Sequence, residues 1–358
     1  MSGRRRLLVA AGFLLAAAIR LAWLSAFRDN WDMGTYRDFA RFAGRGAGLY
    51  RDILSYHFAP AFALTLWGIG SVAGRIGVPF EKAVGFALLL ADAVSAWLLY
   101  RISRDNFGRS VRAACGVALL FFANPVSVFV TGFHAQFDNL SIAFLLAAVY
   151  FAGRRAGPAP VAASLSGSLL FKHVTWFHPL LFFRRERGPV WRSVAVALAP
   201  YAVFAASFLP YWKSRRVVAG RFFGYASLAE DYGTAMLRRV PGVPDWAPTA
   251  LFVVATLAAV FFLRRLEPAR ACLLLFLVML VFLPGIVEYY FVWPIALGSL
   301  IGGAGYLVYT VLVSAFFLGS PDGLELPIRH LPGWHGLWWG TVFWLAWELR
   351  RLSKERAA

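Results

Sequence analysis

Long apolar runs separated by clusters of arginine leave this chain one environment to fold in, a lipid bilayer. The runs at 7–27, 84–100, 113–130, 140–151, 161–183, 194–211, 248–263, 271–283, 292–301, 304–318 and 337–349 are rich in Leu, Ala, Phe and Val. A helix needs about 20 such residues to cross the hydrocarbon core. A membrane β-barrel would instead alternate apolar and polar positions over ten-residue segments, and these runs are continuous. Only 15% of residues are charged and 60% are apolar, where a soluble domain carries roughly 25% charge. The expectation is an all-α polytopic membrane protein, with residues 1–358 as a single transmembrane domain.

The net charge of +18 reads first as an orientation signal, because Lys and Arg accumulate on the cytoplasmic side of spans. Arg4, Arg5 and Arg6 place the N-terminus in the cytoplasm, ahead of a retained first helix with no small-residue cleavage site. Arg101, Arg104, Arg109 and Arg112 mark the next cytoplasmic loop, and Arg154 and Arg155 a third. For both to be cytoplasmic, residues 134–139 must lie outside and the short run 59–73 must fail to cross. Residues 28–82 then form one long external loop carrying interfacial helices, and 213–246 form a second external loop. On this assignment 20 Lys and Arg are cytoplasmic, 14 are external and two, Arg20 and Lys172, sit within spans. The external excess in two loops asks for an anionic partner. The basic residues are scattered among membrane loops, so nucleic acid is not an expected partner. Cys115 and Cys272 lie in apolar runs and read as buried thiols, with no disulfide or metal framework.

Polar residues at the mouths of apolar helices are costly to place and are usually functional. Gly132-Phe133-His134-Ala135-Gln136-Phe137-Asp138-Asn139 sets four of them between two spans. If this stretch is helical, His134 and Asp138 share a face four residues apart. A second cluster, Asp29, Asp32 and Asp38, follows the first span. Asp32 and Tyr36 would share a face of a helix over 31–42, with Trp31 in the headgroup layer. A carboxylate there can take a proton from an acceptor hydroxyl, or can merely cap the helix. Lys172 and His173 interrupt the run 161–183 and read as a break between two half-helices. A buried cation needs a partner, and a phosphate would serve; the plain alternative is a snorkelling lysine. Arg215, Arg216 and Arg221 are candidates for the same phosphate. Glu288 and Tyr289 follow Pro284-Gly285 at an external helix end and could hold a sugar or pair with a base. No Walker loop, GxGxxG or HExxH occurs. No internal repeat of the kind found in inverted-repeat transporters is visible.

Four passages together resemble the GT-C-fold glycosyltransferases, integral-membrane enzymes that use polyprenyl-phosphate sugars. The first runs from Trp31-Asp32-Met33-Gly34-Thr35-Tyr36 through Gly48-Leu49-Tyr50 to Tyr56-His57-Phe58-Ala59-Pro60. The second, Asn124-Pro125 followed by 132–139, is similar to the Gly-Gln-Phe-Asp passage of dolichyl-phosphate-glucose-dependent glucosyltransferases and related mannosyltransferases. Ala135 stands where many relatives have Gly. The third is Leu170-Phe171-Lys172-His173, and the fourth is Glu288-Tyr289-Tyr290-Phe291-Val292-Trp293-Pro294. The likeness covers roughly residues 20–300.

The resemblance implies a GT-C-like helical bundle and inverting sugar transfer on the external face. The donor would be a polyprenyl-phosphate sugar and the acceptor a lipid or a glycan. It implies Asp32 as general base or metal ligand and Asp138 as the acid of the second external loop; beside the resemblance, His134 is the further catalytic candidate. Asp29, Tyr36, Gln136, Asn139, Lys172, His173, Arg215, Arg216, Glu288 and Tyr289 would bind substrate. The family has metal-dependent and metal-independent members, so a divalent ion is neither assigned nor excluded. High Arg and Ala point to a GC-rich prokaryote and hence to its inner membrane. A transporter or flippase of a lipid-linked sugar, with the 134–138 segment as substrate site or proton relay, is the alternative.

Overall fold

The computed structural model describes residues 3–26, 30–45, 48–53, 55–183, 189–223, 232–319 and 333–357. All regular structure among them is helical. In chain order the α-helices are α1 (Gly3–Ala26), α2 (Trp31–Gly44), α3 (Leu49–Asp52), α4 (Pro60–Ile76), α5 (Phe80–Arg101), α6 (Val111–Phe122), α7 (Pro125–Gly132) and α8 (Asp138–Gly153). There follow α9 (Pro158–Phe171), α10 (His178–Leu181), α11 (Val190–Ser207), α12 (Arg215–Phe223), α13 (Ala247–Leu263), α14 (Pro268–Phe282), α15 (Ile295–Ile301), α16 (Ala304–Gly319) and α17 (Trp334–Ala357).

Among the described residues, three helical stretches are long and apolar enough to cross a membrane: Leu7–Ala26, Phe80–Asn106 and Val190–Ser207. A fourth, α6 with α7, passes as one unit bent by 46°. The bend has a local cause. Pro125 lacks an amide hydrogen, and the Asn124 side chain caps the new helix by accepting from Val126 N at 2.9 Å. Much of the outer surface is apolar: Leu7, Leu14 and Phe262 are each more than 70% exposed. These are the helices of a membrane protein, with a surface suited to lipid.

Several expected spans are shorter or broken. The run 113–130 is the bent α6–α7 pair. The run 161–183 stops at Phe171; Lys172 is extended, a 3₁₀ turn covers His173–Thr175, and α10 has four residues. The break at Lys172 is therefore real, but the second half is a turn and a stub. The run 292–301 is a 3₁₀ turn, Glu288–Val292, and a seven-residue helix about 10 Å long, too short to cross alone.

Among the described residues two large cores and a small cluster of Ala59, Leu169 and Phe204 organise the chain. The larger core joins α1, α5–α11 and α13–α17 around Leu145, Leu273, Phe276 and Phe291. Within it α8 and α9 lie close because α9 is small on the facing side. A Cβ on Gly167 would come within 2.6 Å of the Phe144 ring. The second core is aromatic. α2 turns Met33, Tyr36, Phe39 and Ala40 inward against Phe62, Ala63 and Leu66 of α4. Phe137 packs edge-on against Tyr36 at 5.6 Å and Phe62 at 4.9 Å, favoured geometry for aromatic pairs. This core seats α2–α4, which fill the expected 28–82 loop, on the 133–137 segment.

The basic loops collect together at the end of α8 remote from Asp138. Asn106 donates to Val149 O and Tyr150 O, Arg101 to the Tyr150 hydroxyl, Arg109 to Leu300 O and Arg351 to Gly302 O. Arg270 pairs with Glu355 in the same region.

Candidate functional site

The site forms where three parts of the chain meet: the start of α2 at Asn30, residues 133–137 and the interruption at Lys172. Asn30 ties the first two. Its oxygen caps α2 through Met33 N at 2.8 Å, and its amide donates to Phe133 O and His134 O, each at 3.3 Å. At the centre is Gln136, which is 2% exposed. Its Nε2 donates to Asp32 Oδ2 at 2.5 Å. Its Oε1 accepts from the Tyr36 hydroxyl at 3.3 Å and from Lys172 Nζ at 3.4 Å. Asp32 and Tyr36 thus share a helical face, as their spacing requires.

Lys172 pairs with Asp138, and both are buried. The second Asp138 oxygen accepts from Trp293 Nε1 at 2.8 Å. The Lys172 ammonium also lies 4.3 Å from the Tyr289 ring centroid, within cation–π range. The protein therefore supplies the counter-ion for which a phosphate was expected, and Asp138 is that counter-ion. Asp32 is the half-buried acid of the pair, and burial raises its pKa above the ordinary aspartate value. The Lys172 charge and the Gln136 hydrogen bond pull in the opposite direction.

His134 departs from expectation. Residues 133–137 are not helical, since α7 ends at Gly132 and α8 begins at Asp138. His134 and Asp138 therefore share no helical face. The His134 ring lies among Phe129, Phe133, Phe317 and Tyr289. Asn139 also turns elsewhere. Its Nδ2 lies 2.7 Å from Asp92 Oδ1, 2.8 Å from Thr131 Oγ1 and 3.2 Å from Ser127 Oγ. Asp92 is in turn salt-bridged to Arg20 of α1, which also donates to Phe122 O at 2.8 Å and Ser127 Oγ at 3.0 Å. This buried network pins the start of α8 to α1, α5 and α7.

Tyr289 reaches the cluster through Lys172, and Glu288 starts the adjoining 3₁₀ turn. His173 lies with its ring 6.3 Å from that of His57. Burial lowers the His57 pKa to about 4. Arg215 and Arg216 are exposed on α12, where Arg215 stacks on Trp212 at 5.4 Å. Asp38 is exposed and faces Arg41 at 3.9 Å. Asp29 lies outside the described residues. Among the described residues, no group of three or more His, Cys, Asp or Glu side chains is placed to hold a metal ion.

Trp293, Asp92 and His57 were not among the sequence candidates. Asp92 had a signal: an acid inside one apolar run and a base, Arg20, inside another demand each other. Trp293 lay in the fourth family-like passage but carried no role there, because an indole in an aromatic stretch is ordinary core. Two cavities lie away from the cluster. One of about 430 Å³ borders Asn124, Tyr306 and Thr310, and one of about 220 Å³ lies among the basic loops.

Ala135 carries φ +54°, a left-handed conformation that costs a non-glycine residue about 1–2 kcal/mol. The turn sets Gln136 inward, its backbone N–H donating to Val130 O at 3.1 Å. Ala135→Gly is expected to stabilise the fold by up to about 1 kcal/mol, the relief being offset by a more flexible unfolded chain. Thermal unfolding in detergent checks this; a loss above about 1 kcal/mol would mean that the buried Cβ outweighs the strain.

Compared with family profiles, curated proteins and solved structures, the chain matches none.

Proposed function

We propose that this chain is an integral-membrane glycosyltransferase of the GT-C type, moving a sugar from a polyprenyl-phosphate donor to a hydroxyl acceptor with inversion. The observation that carries the reading is the meeting of Asp32 with Gln136, Lys172 and Asp138 beside a lipid-facing bundle. The acceptor oxygen attacks the anomeric carbon, and its proton passes to Asp32. The sugar–phosphate C–O bond breaks, and the phosphate leaves with the bonding electrons. Gln136 orients the base, and the Lys172–Asp138 pair fixes Gln136. Fixed cations would stabilise the leaving phosphate. Lys172 is balanced within the protein, so that task falls to Arg215 and Arg216 on α12, which packs on α3 near the aromatic cover. Asp138 acts through Lys172 and is a positioning residue.

The test uses purified full-length protein in liposomes loaded with polyprenyl-phosphate hexose and an acceptor pool. Formation of a new glycosidic bond supports transfer. Movement of the donor across the bilayer without a new bond would replace this reading with a flippase.

The membrane orientation belongs to the same reading. The arginine-rich end is cytoplasmic by the charge rule, and the Asp32 cluster faces the other side, in a prokaryotic inner membrane. Cysteines at Trp31, 76% exposed, and at exposed Arg112 are expected to react with impermeant maleimide from opposite faces. Labelling of both from one face would defeat this orientation.

A further inference from the structure

We propose that the cleft among the basic loops, remote from the Asp32 cluster, binds a single phosphodiester, the headgroup of a monoanionic phospholipid. The cavity of about 220 Å³ is lined by three arginines, Arg109, Arg270 and Arg351, and by one acid, Glu267. Their charges are unequally matched. Arg270 pairs with Glu355, and Arg351 with Glu348 at 3.3 Å. Glu267 is engaged by the start of α14, accepting from Ala269 N at 2.9 Å and Arg270 N at 3.0 Å, where amide dipoles offset a negative charge. Arg109 donates to Leu300 O at 2.7 Å and lies 5.3 Å from the Phe107 ring. Among the described residues no carboxylate pairs with it.

One unmatched guanidinium suits one negative charge, and guanidinium groups are good ligands for phosphate oxygens. A polyanion would have to compete with Glu267, Glu348 and Glu355. The rest of the lining, Phe107, Leu266, Ile301 and Leu352, is apolar. It suits the glycerol and upper acyl carbons of a lipid better than a fully hydrated ion. Basic pockets between membrane helices take lipid headgroups for these reasons. This inference does not depend on the transferase reading.

The experiment is native mass spectrometry and thermal unfolding of the full chain in neutral detergent with added phosphatidylglycerol, phosphatidylcholine or inorganic phosphate. Phosphatidylglycerol is expected to stay bound and raise the unfolding temperature, and phosphatidylcholine to do neither. Arg109→Gln should weaken phosphatidylglycerol retention about tenfold or more, while Arg109→Lys keeps most of it. Leu266→Trp fills the cleft without touching a charge and should give the same loss, which guards against a folding defect in the first variant. Equal protection by millimolar inorganic phosphate would support the same anion site with a free ion as occupant. Equal retention of both lipids, or undiminished phosphatidylglycerol binding in Arg109→Gln and Leu266→Trp, overturns the proposal.

Discussion

Asp32→Asn protein is expected to transfer sugar roughly 10²–10⁴-fold more slowly than the unaltered chain, the usual contribution of a general base. Its fold should survive. Asn keeps an oxygen to accept from Gln136 Nε2. Burial raises the Asp32 pKa in the folded protein. The fold thus favours the neutral carboxyl, and ionisation lowers stability as pH rises through the folded pKa. Asn removes that cost, so unfolding should be unchanged or slightly less favourable. The rate has its own sign: only the ionised carboxylate accepts a proton, so transfer rises with pH through the same raised pKa. That acid limb should lie above the pH at which a solvated aspartate titrates and should vanish in Asp32→Asn. Full activity in the folded variant, or an unaltered limb, removes Asp32 from this role.

The second large effect concerns stability. Lys172→Met strands the buried Asp138 carboxylate, leaving it the neutral Trp293 Nε1 donor. Asp138→Leu strands the ammonium. Breaking one side of a buried pair costs about 3–5 kcal/mol, whereas replacing both sides with apolar groups can be nearly neutral. Each single variant is therefore expected to lose about 3–5 kcal/mol in detergent unfolding, and Lys172→Met/Asp138→Leu to regain most of it. Additive losses in the double variant would mean that the two side chains do not pair. Activity should not return with stability, because the Gln136 carbonyl would still lack the Lys172 contact at 3.4 Å.

Much of the fold was legible without coordinates. Apolar runs reveal helices because backbone groups in lipid have no other partner. The break at Lys172 was visible because a cation cannot continue an apolar helix face cheaply. Helix lengths were less legible: 292–301 reads as a span by composition, yet Pro294 and the Glu288–Val292 turn leave only seven α-helical residues. Composition records apolarity and not curvature.

The site was legible as a set of residue types and not as a set of contacts. His134 and Asp138 looked like helical neighbours because their spacing is four, but the left-handed turn at Ala135 breaks the register between them. Asn139 looked like an extension of Asp138. On a helix, however, successive side chains diverge by about 100°, so Asp138 meets Lys172 while Asn139 meets Asp92.

By itself, the order of apolar and charged residues determined that this chain is a helical membrane protein with polar breaks at 28–32, 134–139 and 172–173. That much follows because transfer of each segment into lipid depends on local composition. Which charge neutralises which was decided only by tertiary structure. Lys172 had an outside phosphate as its expected partner, and Arg20 had none nearby in sequence. The choice rests on helix register and on the close approaches of α9 to α8 at Gly167 and of α5 to α1 at Gly85, which bring groups 34 and 72 residues apart into contact.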